Sequence, residues 1–251
     1  MYQIAGKPVH MQMLSNLVSL AFAHKLQLPE GVQMVPVVDK LNNIRTYVPV
    51  LEQLEWLMTQ LSLPIPDEKS KTWTHLLQFG IDLLVVVFHS TVTGKSDART
   101  AIELASYLDP PVKEVWIVLH NKPSHHIHNL TSDEGCKKAI GNTSGRAQSS
   151  THRTIVRPWE FNKLRVHPLI HVLSDSARIA TEEDKKKLQK KLFISKKITL
   201  EKQLPLIREN DPVVLWTGAK LGDWIIYVKD LPGMIPFEEV RYVIMAEPGS
   251  S

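Results

Sequence analysis

Apolar residues recur along this chain in several distinct rhythms, and each rhythm predicts an element. From about Pro8 to Leu26, the residues Met11, Leu14, Leu17, Val18, Ala21 and Phe22 share one face at helical spacing, so a first helix is expected there. Pro49 opens a second helix, with Val50, Leu51, Leu54, Leu57, Met58 and Leu61 turned inward, Trp56 off that stripe and Pro64 ending it. Between the two, Val32 to Val38 alternates poorly and reads as a short strand interrupted by Pro36. Ile81 to Phe88, flanked by Gly80 and by Ser90-Thr91, is apolar at every position except Asp82, the signature of a strand buried on both faces. Ser96 to Leu108 then places Ala98, Ala101, Ile102, Ala105 and Leu108 on one helical face, Pro110-Pro111 ends it, and Glu114 to Leu119 is a second buried strand. Strand, helix and strand in so short a stretch form a βαβ unit, whose strands are parallel and whose crossover is right-handed.

Residues 121–153 break this pattern. They are rich in Ser, Thr, Gly, Asn and His and nearly devoid of apolar side chains, too polar to bury the surface that ordering requires, so a disordered insertion is expected. Thr154-Ile155-Val156 resumes with a third strand, and Pro158-Trp159-Glu160-Phe161 reads as a short turn. A second domain begins near Val166. Its first helix spans Ala180 to Phe193, with Thr181 as cap and Glu182, Glu183 and Asp184 in the positively polarised first turn. Further on, Pro205 holds Leu204 extended. Asp211 can cap the free amides of a new helix, and Pro212 stands where a missing N–H costs nothing. Gly218 and Gly222 bracket a tight connection into a strand from Asp223 to Val228; Leu231-Pro232-Gly233 turns the chain into another, Glu238 to Met245. The expected architecture is an α/β N-terminal domain over residues 8–165, a small sheet flanked by helices, followed by a small α+β C-terminal domain over residues 166–246.

Composition narrows the class. At 251 residues the chain has room for two modest domains. A net charge of +4 is compatible with nucleic acid nearby without requiring it. The single cysteine, Cys136, excludes an internal disulfide framework and fits a reducing compartment. No uninterrupted apolar stretch approaches the length of a membrane span, and the first residues lack the basic-then-apolar order of a secretory signal. A soluble intracellular protein with no membrane partner is expected.

The chemistry-bearing candidates mostly favour plain readings. Thr93-Gly94-Lys95-Ser96 follows a strand and opens a helix, as a phosphate loop does, but the glycine that such a loop needs five residues before Gly94 is His89. His120, His125, His126, His128 and His152, with Cys136 among them, match no structural zinc spacing. His167 and His171 are separated by Pro168, and no Glu follows His167 as in a metalloprotease helix. Neither metal nor other cofactor is expected. Paired carboxylates at catalytic spacing, a nucleophile elbow and a Ser/His/Asp order are absent, so no active site is expected. Lys185, Lys186, Lys187, Lys190 and Lys191 form a basic run on a helix: a solvated face in the plain reading, a contact with phosphates or with acidic patches of a partner in the functional one.

Three fragments go further. Gln203 to Val213 (QLPLIRENDPV), Gly218 to Asp223 (GAKLGD) and Val240 to Ile244 (VRYVI), in this order, resemble the assembly domain of the fifth-largest subunit shared by eukaryotic nuclear RNA polymerases, a domain that in archaeal polymerases stands alone as a small subunit. The resemblance covers Val166 to Met245 well and the preceding residues only in pattern. There are departures. His171-Val172-Leu173 matches the start of the family's His-x-Leu-Val-Pro-x-His segment, but Ser174, Asp175 and Ala177 do not continue it, and the last hairpin lacks the usual turn. These departures suggest a divergent paralogue, dedicated to one polymerase class, with RNA polymerase I preferred. The resemblance implies a non-catalytic, hetero-oligomeric subunit in the nucleus, or in the nucleolus for polymerase I. Its C-terminal domain would dock on the largest subunit beside neighbouring subunits, and its N-terminal jaw would lie against downstream duplex DNA, bound weakly and without sequence preference. Leu204, Pro205, Ile207, Asp211, Pro212, Trp216, Gly222, Arg241 and Tyr242, with Trp224, are the residues expected at that interface or in the core beneath it, and Lys185, Lys186 and Lys187 the expected phosphate contacts. The rival reading is a free-standing nucleic-acid-binding transcription factor using the lysine helix; a third, a nuclease-like enzyme on the N-terminal fold, lacks an acidic cluster to hold a metal.

Overall fold

The computed structural model describes residues 9–38, 42, 44–89, 95–108, 112–122, 127, 155–170, 176–192, 194, 198, 202–209, 211–229 and 237–245. Helix α1 (Val9–Ala23) lies at the centre. The one-faced stripe expected from its sequence is too narrow: every residue from Met13 to Ala21 is buried, Ser15, Asn16 and Ser19 included. The polar members are satisfied, since Ser19 Oγ donates to the Ser15 carbonyl (2.9 Å) within the helix and Asn16 Nδ2 to the distant Leu164 carbonyl (2.6 Å). Strands β1 (Met34–Val38) and β2 (Ile44–Pro49) form an antiparallel pair beside it. Pro49 thus closes a strand rather than opening a helix; a 3₁₀ turn at Leu51–Gln53 leads into α2 (Leu54–Leu61), which buries Leu54, Leu57 and Leu61 as its spacing predicts.

The first four-stranded sheet has the order β3-β4-β5-β6. Strand β3 (Trp73–Phe79) runs antiparallel to β4 (Leu83–Phe88), and β4, β5 (Glu114–Leu119) and β6 (Ile155–Glu160) are mutually parallel. Both strands lie in the runs the sequence marks and are buried at every position, although β4 starts two residues later than expected, leaving Ile81 exposed, and β5 includes the charged Glu114; α3 (Lys95–Tyr107), whose Ala98, Ala101, Ile102 and Ala105 are buried, joins them. Strand β6 corrects one expectation. Pro158-Trp159-Glu160 continues the strand instead of turning, and the helix α4 (Phe161–Arg165) begins only afterwards. Proline is tolerated because β6 is an edge strand paired with β5 alone, so its missing N–H can face the open side.

The second four-stranded sheet has the order β7-β9-β10-β8. Strands β7 (Ser176–Ile179), β9 (Trp224–Lys229) and β10 (Phe237–Ile244) are antiparallel neighbours, and β8 (Leu206–Arg208) adds in parallel on the far side of β10. Helix α5 (Glu182–Lys191) covers one face through Leu188, which joins Ala180, Leu204, Trp224, Ile226 and Val240 in a small core. The mixed α/β and α+β composition is as expected.

The two halves are not separately cored. One buried cluster takes α1 and α2, the inner faces of both sheets, and α6 (Pro212–Thr217), running from Leu14 and Leu57 through Val85, Trp116 and Trp159 to Trp216, Ile225 and Val243. The outer face of the first sheet packs separately on α3. Of the insertion expected over 121–153, only Asn121, Lys122 and Ile127 are described; His125, His126, His128, His152, Cys136, His171, Gly94 and the Leu231-Pro232-Gly233 turn lie outside the described residues.

Candidate partner interface

The candidate site is built on α6 and the end of the second sheet. Asp211 has extended backbone and its Oδ1 accepts from the Val213 amide at 2.9 Å, with Pro212 at the first helical position, as the sequence signal requires. The helix ends at Gly218, in left-handed conformation (φ 72°), with the Gly218 amide donating to the Leu215 carbonyl and the Ala219 amide to the Val214 carbonyl. A second constraint acts there: a Cβ on Gly218 would lie 2.4 Å from the Ala23 carbonyl oxygen, so α6 is pressed against the end of α1 at a point where only glycine fits.

This contact is one of several locks between the halves. His24, just past α1, places Nε2 2.9 Å from the Leu215 carbonyl and packs edge-on to Trp116. With that carbonyl as acceptor, Nε2 carries the proton. Trp116 Nε1 donates to the buried Glu114 carboxylate at 2.8 Å, and Arg157 Nε closes on the same oxygen. His167 is buried against the Trp216 ring (4.1 Å between centroids), with Thr46 Oγ1 3.4 Å from its Nε2. Desolvation pushes His167 down to about 3 and also lowers His24, so both imidazoles are neutral at physiological pH.

The sequence-selected interface residues divide by burial. Leu204, Ile207, Trp216 and Trp224 are buried in the chain's own cores, so in this chain they support the surface from beneath. Pro205, Pro212 and Gly222 are exposed, and Asp211, Arg241 and Tyr242 are half-buried. Tyr242 connects them: its amide donates to the Pro205 carbonyl (2.9 Å), it pairs with Leu206 in register, and its hydroxyl lies beside Gly222. Sequence reasoning overlooked Leu206 and Leu221, which stand 45% and 48% exposed on the same end of the sheet; an apolar residue between Pro205 and a buried Ile207 was the available signal. Arg241 is drawn elsewhere. Its Nε donates to Glu239 at 2.8 Å, its guanidinium lies over the Tyr227 ring, and Lys229 reaches the other Glu239 oxygen, so Glu239 titrates below its ordinary range.

On α5 the lysines are not equivalent. Lys185 Nζ donates to Glu182 at 2.7 Å, while Lys186, Lys187, Lys190 and Lys191 are exposed. The helix start is secured by a full capping box between Thr181 and Asp184. Arg178 grips Asp184 with two nitrogens (2.5 and 3.2 Å), and those bonds, with the Thr181 amide, hold the Asp184 carboxyl well below the usual carboxylate range. Among the described residues, no group of three or more His, Cys, Asp or Glu side chains is placed to hold a metal ion, and no helix is long and apolar enough to cross a membrane.

No curated protein matches the chain. Residues 166–233 match the family model described as RNA polymerase Rpb5, C-terminal domain; this segment takes in β7, α5, β8, α6 and β9 and stops short of β10, and it supports a place for the chain in the Rpb5-like RNA polymerase subunit family.

Proposed function

We propose that this protein is a non-catalytic structural subunit of a DNA-directed RNA polymerase. The C-terminal unit, residues 166–246, is the assembly module that docks on the largest subunit, and the N-terminal unit is the jaw carried beside downstream DNA in the nucleus. The observation that carries this reading is the family match over 166–233, together with the exposed strip of Pro205, Leu206, Leu221 and Gly222 around Tyr242 on the motif-bearing end of that module. Apolar side chains held in the open by a firmly packed sheet suit burial against another polypeptide. Dedication to a single polymerase class belongs to the same proposal and rests on the sequence departures in the His171 segment and the last hairpin; RNA polymerase I, and hence the nucleolus, is the class preferred.

The test is purification of the tagged full chain from its own cells with identification of co-eluting proteins. Stoichiometric recovery of the largest polymerase subunit is expected, and the specific largest subunit recovered identifies the class. Leu206→Asp, at an exposed position, should reduce that recovery at least tenfold with no change in the chain's own thermal midpoint. Recovery of no polymerase subunit by the unmodified chain, alongside DNA binding by the isolated protein, would favour the free-standing factor.

A further inference from the structure

Helices α1 and α6 end side by side in the same way, with one difference. At the end of α1 the Leu26 amide donates to the Ala21 carbonyl (2.9 Å) and the Lys25 amide to the Phe22 carbonyl (3.0 Å), the same pair of bonds that closes α6 around Gly218. The left-handed residue is Gly218 in α6 and Lys25, at φ 57°, in α1. Glycine takes that conformation without steric cost and lysine does not. A residue held in a sparsely populated backbone region points to a role for its side chain.

Lys25, exposed, stands in the lining of a groove of about 940 Å³, where it is the single charged residue among the described lining residues. Phe22, Leu26, Val32, Tyr47 and Ile179 supply apolar wall, and Phe22 and Ile179 remain 38% and 36% exposed. Nothing among the described residues forms an ion pair with Lys25. Hydrogen bonds from residues next to the lining brace the walls. The Gln27 amide donates to Asp82 (3.1 Å), the Gln33 amide to Gln53 Oε1 (2.8 Å), and Gln53 Nε2 to the Gly31 carbonyl (3.1 Å). Such preorganisation lowers the ordering cost of binding.

We infer that this groove is a second docking site, distinct from the strip around Tyr242, and that it takes a segment of a partner polypeptide with apolar side chains on one face and a carboxylate placed against Lys25. Charge complementarity selects the occupant: an apolar trough whose rim ammonium has no ion-pair partner among the described residues rewards an apolar segment that brings a single acid and penalises one that brings a base. Nine of its eleven lining residues precede residue 166, so the inference does not depend on the polymerase reading.

The test uses the full chain and two synthetic amphipathic helical peptides with identical leucines, one with glutamates and the other with lysines flanking the apolar face, followed by fluorescence anisotropy. The acidic peptide is expected to bind at least tenfold more tightly. Lys25→Glu should reverse that order, and Lys25→Gly, which relieves the backbone, should abolish it while leaving the fold intact. Lys71→Glu makes the same change in net charge at an exposed position outside the groove lining and should leave the preference in place. Phe22→Glu should weaken both peptides. Binding of neither peptide, equal binding of both, or a preference that survives Lys25→Gly would overturn the inference. So would concentration-dependent self-association of the chain abolished by Phe22→Glu, since the occupant would then be a second copy.

Discussion

At the scale of single residues, the junction between the halves depends on a few side chains whose size or protonation is fixed. Gly218 combines a positive φ with backbone 2.4 Å from where a Cβ would sit, so both strain and clash oppose any side chain. Gly218→Ala is expected to cost about 2–3 kcal/mol in chemical denaturation, more than an ordinary helix-end substitution. His167 and His24 give a pH signature. Burial lowers both in the folded chain, His167 to about 3, while in the unfolded chain they titrate near 6.5. Above that pH both are neutral in either state and stability is complete. As pH falls below it, the unfolded chain takes up protons that the folded chain refuses, so stability drops by up to about 1.4 kcal/mol per pH unit for each histidine. Thermal midpoints should therefore decline between pH 7 and 5, and His167→Gln should flatten the slope by about one proton. Asp184 and Glu239, lowered by their cationic partners, act in a separate window, their stabilisation being lost below the ordinary carboxylate range.

At the scale of elements, local sequence was most legible where one signal acted alone. Thr181 with Asp184, and Asp211 with Pro212, were readable as helix starts because capping is settled within four residues, and both caps are made. Thr181→Ala should cost about 1 kcal/mol and Asp211→Ala a similar amount, measured by urea denaturation. Strands β4 and β5 were legible because burial on both faces makes nearly every position apolar, the exception being Glu114, whose carboxylate accepts from Trp116 and Arg157. Strand β3 was not: its pattern is broken by a register shift between Trp73 and His75, and it has apolar residues on both faces without being continuous. Strands β7 and β8, of four and three residues, are too short to show a period and exist because β9 and β10 offer them free edges. Helix α5 is legible as a helix, but its lysines are ambiguous. With Lys185 engaged by Glu182 and the others exposed, replacing Lys185, Lys186 and Lys187 by Gln is expected to leave both subunit recovery and weak DNA binding unchanged; loss of DNA binding alone would mark this face as the phosphate contact.

At the scale of the whole molecule, the shared cluster from Leu14 to Val243 predicts one cooperative unit. Denaturation followed by tryptophan fluorescence and by far-ultraviolet circular dichroism should give coincident transitions, and a fragment ending at residue 165 should not fold alone, because removing α6 and the second sheet uncovers α1. Two separated transitions would contradict this. The sequence by itself determined the class of each half, the buried parallel strands, both capped helices and the motif order that resembles a polymerase assembly domain, because those follow from periodicity and short-range hydrogen bonding. Only the tertiary structure decided that Leu204, Ile207 and Trp216 lie in the core while Leu206 and Leu221 face out, that Pro158 rides an edge strand, and that α1 is enclosed on all sides from Met13 to Ala21. Burial of this kind is a property of what packs against a residue from far along the chain. For the same reason no local pattern marks the groove beside Lys25: its walls come from segments as distant as Phe22, Tyr47 and Ile179, and they meet only when the two halves close on one helix.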